Sequence, residues 1–467
     1  MNDRKVSPTA VLTGLLAVAA LVRLPGFTGW AFEPDELSTW RDALSLAGPS
    51  ANGPGALGRP VYYLLQHVIL AVWPGSPLSL RLPALVFGLA GVWLTWLVAR
   101  RLFGDVAGLV AGLLVALSPW HQYASGFARY WTLVYLLALA SVFLLLEGLD
   151  RNDPKRLRLA AIAFTLGALT HPTFLFPMVG VLVALHVVGP DGRMRWRWPS
   201  SAAWLNLWVP FLVVFGGWVV WLKISGNSRA LSNFQGRGVG ATVGIFAGMA
   251  EWTTLPVVAA TVFGAFALSR GARGEDRRWA AVTLGALATG CVLLFLAGRK
   301  TDVYADYGMS MLPIVYVTVG AAADRVLGSV TPVAFAAAVI LAAGALPGVI
   351  SNLRDGMRFD PRPAFAYVQA HGPAHLVLGP SIQQKVYYAP SLQFEEIGDA
   401  ARLPQVLTRT GGFWLLESRH RNGWINGDAD VQAWVDQACH VALRTGRTRF
   451  DFRAYDVDLL WCGNTAP

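Results

Sequence analysis

The sequence predicts an α-helical polytopic membrane protein of about eleven transmembrane helices, followed by a small extracytoplasmic α/β domain. Three observations lead there. Of 467 residues, 54% are hydrophobic and only 14% are charged, against roughly 25% charged in a soluble domain. The apolar residues gather in stretches close to the roughly 20 residues that cross a bilayer. The basic residues gather in short gaps between those stretches, as in the positive-inside pattern.

The apolar stretches fall at 9–26, 82–99, 105–120, 131–149, 157–171, 174–188, 203–222, 252–268, 279–298, 309–323 and 331–349. Pro172 and Pro177 interrupt the fifth and sixth, so that pair either merges or breaks. The first stretch follows Arg4 and Lys5 and contains Ala17-Val-Ala19, which resembles a cleavage site. That site lies inside the apolar run rather than after it, so a retained span is expected. The net charge is +10, and residues 1–349 carry all of it: from residue 350 onward there are 12 basic and 12 acidic groups. Arg4-Lys5, Arg100-Arg101, Arg151 to Arg158, Arg193 to Arg197, Arg270 to Arg278 and Arg325 hold 16 Lys and Arg in alternate gaps. This assigns those gaps and the N-terminus to the cytoplasm. An odd number of spans then puts the tail outside. Nucleic-acid binding needs a continuous basic stripe; the chain shows none, and no nucleic-acid partner is expected.

Two domains follow. Residues 1–349 form the membrane domain, with 27–81 as a long extracytoplasmic loop. Within that loop, Pro60 to Trp73 is apolar but too short to span, so it reads as a helix lying at the interface. Residues 350–467 form the external α/β domain. Leu376 to Leu378, Phe413 to Leu416 and Val457 to Trp461 are strand-like, whereas Pro363 to His371, Ile382 to Tyr388 and Asp430 to Val441 have helical spacing. Cys439 and Cys462 both fall there, where a disulfide is permissible and two free thiols are the alternative. Cys291 lies in a span.

The candidate chemistry sits in the outer gaps. Glu33, Asp35 and Glu36 follow the first span. Carboxylates beside a low-dielectric slab are costly unless solvated or paired. They serve as a general base, as metal ligands, or as a solvated loop capping a helix. If a divalent metal is bound, Asp35 and Glu36 are the residues to hold it, although the run alone does not select a cation. A second segment, Ser118 to Trp131, places His121 and Arg129 on the same side. Arg129 either anchors at the headgroups or holds a phosphate through its planar fork. Thr170-His171 ends the fifth span, and Arg299-Lys300 ends the ninth, followed by Asp302, Asp306 and Tyr307. The two cations oppose the positive-inside trend, which points to an anionic partner or to those acids. No phosphate-cradling Gly-rich loop occurs, so a nucleotide is not expected.

In series, these segments resemble the membrane-integral C-fold glycosyltransferases, nearest to family 39, with protein O-mannosyltransferases and aminoarabinose transferases as relatives. The matching residues are Asp35-Glu36, Arg59-Pro-Val-Tyr-Tyr-Leu-Leu65, Leu80-Arg-Leu-Pro83, Ala99-Arg-Arg-Leu-Phe-Gly104, Ser118 to Arg129 and Thr170-His171. Two departures stand out. Gly126-Phe127 replaces the family's Gln-Glu, and Arg59 replaces the first proline of a Pro-Pro pair.

The resemblance implies an inverting transferase that moves a sugar from a polyprenyl-phosphate carrier to an acceptor outside the cytoplasmic (inner) membrane. It implies Asp35 as catalytic base and Arg129 as the first phosphate ligand. Arg59, Arg299 and Lys300 are further cations for that phosphate. Glu36 would orient the acceptor or an arginine, Tyr62 and Tyr63 would line the lipid entrance, and His121 and His171 join the binding set. Protein, lipid or glycan could each be the acceptor, and membrane lipids surround the chain. A flippase for a lipid-linked saccharide would want repeats and mid-membrane charges; the chain shows no repeat, and nearly all its charges lie at span ends. A catalytically silent scaffold is the other alternative, kept by Phe127.

Overall fold

The computed structural model describes the chain apart from residues 1–6, 47–54, 75, 227–238, 272, 301–302, 329–331, 355–359, 398–399, 419–428, 446–456 and 464–467. Its contacts divide into two units, 1–27 with 41–349, and 28–40 with 350–467.

The first unit is helical, and each apolar stretch is built on helix. Among the described residues, five helices are long and apolar enough to cross a membrane: Pro8–Gly29, Leu78–Phe103, Trp131–Arg151, Ser201–Ile224 and Gly274–Gly298. A sixth arises if Thr242–Thr253 and Leu255–Ser269, bent by 94°, count as one. The eleven expected spans are therefore not all single long helices. Asp105–Ala116, Pro154–Thr170, Leu175–Val187 and Leu312–Leu327 have 12, 17, 13 and 16 residues, and 331–349 divides into Pro332–Ala343 and Leu346–Arg354. The breaks have local causes. Ser118 accepts from the His121 amide and Pro119 opens the next helix, so the chain restarts after Ala116. His171 and Pro172 do the same after Thr170. Thr254 holds a φ of 75° at the sharp bend. The short apolar run of the long loop forms a helix, Pro60–Val72.

The basic gaps meet at one end of this unit. Arg101 and Arg156 both pair with Glu147, Arg278 pairs with Asp150, and Arg325 lies 2.7 Å from Asp276. These pairs join gaps distant in sequence, which supports grouping them on one side. Arg4 and Lys5 lie outside the described residues.

Arg23, in the first helix, is 1% exposed. Its Nε donates to Ser125 Oγ at 3.1 Å, and Nη1 donates to the Ala19 and Ala116 carbonyls, both at 2.9 Å. Nη2 donates to the Val115 carbonyl at 3.1 Å and to His121 Nδ1 at 2.9 Å. All five guanidinium donors are thus used. Two of the acceptors are carbonyls near the end of Asp105–Ala116, where a helix has no partner of its own to offer. Gln122 Nε2 adds a bond to the Val22 carbonyl at 2.5 Å.

In the second unit, five strands are ordered β2-β1-β3-β5-β4. They are β1 Val377–Gly379, β2 Phe394–Glu396, β3 Gly412–Ser418, β4 Cys439–Thr445 and β5 Val457–Gly463. β1 runs parallel to β2 and β3, and β5 is antiparallel to β3 and β4. Helices Arg362–His371, Ile382–Tyr388, Leu403–Thr410 and Ala429–Ala438 complete it. The helix expected to reach Val441 stops at Ala438, because Cys439 to Thr445 pairs along β5. Cys439 and Cys462 are directly opposite and form a disulfide. Segment 28–40, expected with the membrane domain, groups with this unit. Trp30 Nε1 donates to the Asn352 carbonyl at 2.9 Å, and Gln384 Nε2 to the Phe32 carbonyl at 2.7 Å. The Phe32 amide donates to Tyr388 Oη at 2.7 Å.

Arg23→Lys should destabilise the protein although charge is kept. Lys has three donors on one atom and leaves carbonyls of a broken helix buried without a partner, at about 1–3 kcal/mol each. Thermal unfolding in detergent should shift down by several degrees; an unchanged melting temperature would show that the fork does not hold the break.

Candidate active site

Two groups of predicted residues assemble, one in each unit. In the first unit, residues 126–130 form a bend between helices Pro119–Ser125 and Trp131–Arg151. Arg129 and Tyr130 sit in it, both buried. Arg129 Nη1 donates to Tyr63 Oη at 3.2 Å. Tyr130 is the hub. The Arg59 guanidinium lies 4.7 Å from its ring centroid and that of Arg129 5.7 Å. His171 stacks on it at 4.8 Å and 23°, and Tyr62 meets it edge-on at 6.0 Å. Trp131 and Tyr307 enclose His171 at 5.1 and 4.9 Å. Adjacent residues on a helix diverge by about 100°, which lets Tyr62 reach Tyr130 while Tyr63 reaches Arg129.

Half-buried Arg59 has no carboxylate partner among the described residues. Two guanidinium groups beside one aromatic ring make a cationic site, with electron-rich rings supporting the charge. His171 is oriented from behind. The Thr173 amide donates to its Nδ1 at 3.3 Å, and Thr173 Oγ1 lies 2.7 Å from the same atom. The Nδ1 lone pair is therefore engaged, and the ring proton belongs on Nε2.

Other candidates fall elsewhere. His121 accepts from Arg23 through Nδ1, since an arginine cannot accept, and its ring meets Tyr135 at 4.5 Å. It is completely buried and serves the packing around the helix break. Arg299 and Lys300 are exposed at the C-terminal end of Gly274–Gly298, where the helix dipole favours cations. Neither contacts the Tyr130 group among the described residues. Of the acids after them, Asp302 lies outside the described residues, and Asp306 accepts from Trp120 Nε1 at 3.1 Å. Phe127 is buried against Tyr123, which in turn meets Trp252, both centroid distances being 5.3 Å.

In the second unit, Asp35 and Glu36 open helix Pro34–Ser45. The Glu36 side chain turns back to accept from the Glu33 amide at 3.1 Å. With Pro34 at the first helical position this is half of a capping box. Glu36 is completely buried, and Asp35 is exposed. Trp40, Phe32 and Tyr387 pack behind them, with Tyr387 5.1 Å from Phe32 and 5.5 Å from Trp40. Ser38 Oγ donates to Gln383 Oε1 at 3.1 Å. The first turn is thereby braced, and it presents the Asp35 carboxylate. Among the described residues, no three His, Cys, Asp or Glu side chains converge as a metal site.

Sequence reasoning missed Arg23 and Tyr130, and gave Tyr307 no role. Arg23 carried a signal, being a lone cation within an apolar stretch. Tyr130 and Tyr307 carried none beyond their position next to candidates.

The sequence profile of the family described as dolichyl-phosphate-mannose-protein mannosyltransferase matches residues 54–221. That span holds Arg59, Tyr62, Tyr63, Arg129, Tyr130 and His171. No curated protein sequence matches the chain. Among solved structures, ArnT from Cupriavidus metallidurans in the apo state superposes with a TM-score of 0.59 and 14% identity, over 97% of this chain and 98% of that one. The same enzyme bound to undecaprenyl phosphate gives 0.57 and 16%, with the same coverage. The Archaeoglobus fulgidus oligosaccharyltransferase in its apo form gives 0.54 and 10%, over 89% and 70%. At these identities the structural likeness is one of fold. The chain has the fold of these solved membrane transferases, and its residues 54–221 resemble the mannosyltransferase family.

Proposed function

We propose that the chain transfers a sugar from a polyprenyl-phosphate carrier to an acceptor hydroxyl or amine at the extracytoplasmic membrane face. The observation that carries this reading is the pair of guanidinium groups, Arg59 and Arg129, on the ring of Tyr130. A lipid phosphate leaving group departs as an anion and needs no general acid. It needs positive charge where its own charge grows, and such stabilisation is usually the largest catalytic term. Two arginines in a low-dielectric, aromatic setting supply it. The crystallised relative bound to undecaprenyl phosphate supports a polyprenyl phosphate as the lipid.

Asp35 is the base in this reading. The acceptor oxygen or nitrogen attacks the anomeric carbon, the bond from that carbon to the phosphate oxygen breaks, and the acceptor proton passes to Asp35. One displacement inverts the anomeric centre. Glu36 holds the first turn that carries Asp35. Tyr62 and Tyr63, both buried, hold Tyr130 and Arg129 in place, and His171 stacks on Tyr130. The external assignment of residues 350–467 draws support from two independent features. The basic gaps meet at one end of the helical unit, and a disulfide joins β4 to β5, which suits an oxidising compartment.

Asp35→Asn keeps the shape of the side chain and removes the base. Turnover with a synthetic polyprenyl-phosphate sugar should fall by about 10²–10⁴, with folding intact. Wild-type turnover would remove Asp35 from the mechanism.

Arg129→Lys separates a phosphate ligand from a membrane anchor. A phosphate ligand loses its planar fork, and donor binding should weaken by about ten- to a hundredfold, the range for a charge-assisted hydrogen bond. An anchor would tolerate Lys, because both side chains snorkel. Unchanged donor binding would move the phosphate away from Arg129.

A further inference from the structure

The loop between helices Leu175–Val187 and Ser201–Ile224 contains Arg193-Met-Arg-Trp-Arg-Trp198, and the proposed reaction does not use it. Its backbone is extended and held in place. The Arg195 amide donates to the Val187 carbonyl at 2.7 Å and the Arg197 amide to the His186 carbonyl at 2.8 Å. Val188 and Met194 form a β-bridge, and the Arg193 amide bonds Asp191 Oδ1 at 3.1 Å. Gly192 turns the hairpin with a φ of 72°, and an added Cβ there would come within 2.9 Å of Gly274. The hairpin therefore abuts the start of helix Gly274–Gly298, at the end of the unit where the basic gaps pair with acids.

Extended backbone sends alternate side chains to opposite faces. Arg193, Arg195 and Arg197 share one face, and Met194, Trp196 and Trp198 share the other. The apolar face is uncovered: Met194 and Trp198 are each 80% exposed and Trp196 56%. The two indoles meet edge-to-face at 5.7 Å. The arginine face carries three cations, of which Arg195 lies 3.7 Å from Asp191. A tethered strand with indoles on one face and guanidinium groups on the other matches the boundary of an anionic leaflet. Indole rings settle at headgroup level, and each basic group near an anionic surface gains about 1 kcal/mol, roughly fivefold.

We propose that this hairpin is a binding surface for anionic phospholipid headgroups on the side of the basic gaps. The arginine face holds lipid phosphates, and the Met-Trp-Trp face enters the headgroup boundary. The attraction is one of charge, so it needs basic side chains but not the arginine fork.

The test uses the full chain in nanodiscs of phosphatidylcholine into which phosphatidylglycerol with brominated acyl chains is titrated. Tryptophan quenching is read as the difference between wild type and Trp196→Phe/Trp198→Phe, which isolates the two indoles. Quenching should rise with brominated phosphatidylglycerol more than with brominated phosphatidylcholine, and salt should reduce that preference. Arg193→Gln/Arg195→Gln/Arg197→Gln should lower the apparent affinity for phosphatidylglycerol by about fivefold per arginine. The corresponding triple Lys variant should keep it, which separates charge from misfolding. The proposal is overturned if the two indoles are not quenched by either lipid, as expected if they meet water or another protein. It is equally overturned if the glutamine variant keeps the full lipid preference.

Discussion

One buried guanidinium sets the geometry on which the helical unit's cationic group depends. Helix Asp105–Ala116 stops short, and its Val115 carbonyl keeps only turn bonds, that from the Ser118 amide being 3.4 Å long. Arg23 satisfies two carbonyls at that end, together with Ser125 and His121 on the next short helix. The first helix is thereby tied to both sides of a break. A few residues on, the chain bends again and presents Arg129 and Tyr130. A lone buried charge would be strongly destabilising; used on every donor, it fixes one arrangement of a segment that apolar packing alone would leave free to continue as a helix.

That arrangement explains why the cationic site can exist so near lipid. Arg59 comes from the turn before Pro60–Val72, and Arg129 from the bend before Trp131–Arg151. They converge on Tyr130, whose ring is in turn backed by His171. Rings with a negative face offset part of the cost of gathering two like charges, and an anionic ligand offsets the rest. In the proposed reaction the site would be most favourable when the phosphate carries its full charge, at and after bond breaking. The acid-bearing turn is built separately, with the Glu36 cap and the aromatic packing around Phe32. Each unit thus rigidifies its own contribution through local contacts.

Much of this was legible from residues alone, and the reasons for the rest are physical. The membrane character and the basic gaps follow from composition and from where charge can be solvated. Pro60–Val72 was legible because its apolar run is too short to span. That the acidic run caps a helix was one of its readings, but that Glu36 turns back to the Glu33 amide was not legible. The number of uninterrupted spans was not legible. Pro172 marked one break in advance, but apolar composition does not reveal that Ser118-Pro119 will restart a helix, and a 94° bend at Thr254 has no hydropathy signal. The strand from Cys439 was hidden because its partner, β5, decides it. The association of 28–40 with the C-terminal unit was hidden too, since Phe32 bonds Tyr388 and Gln384, more than 350 residues away. His121 and Arg129 are eight positions apart in one segment, and only the fold separates a packing histidine from a cation at the site.

The most direct measurement is native mass spectrometry of the purified chain with undecaprenyl phosphate and, in parallel, with undecaprenol. The two lipids share the same chain and differ only in the phosphate. If Arg59 and Arg129 form a phosphate site, the phosphorylated lipid is retained and the alcohol is lost, and Arg59→Gln/Arg129→Gln abolishes the difference. Equal retention of both lipids, or a difference that survives in the double variant, would contradict the account.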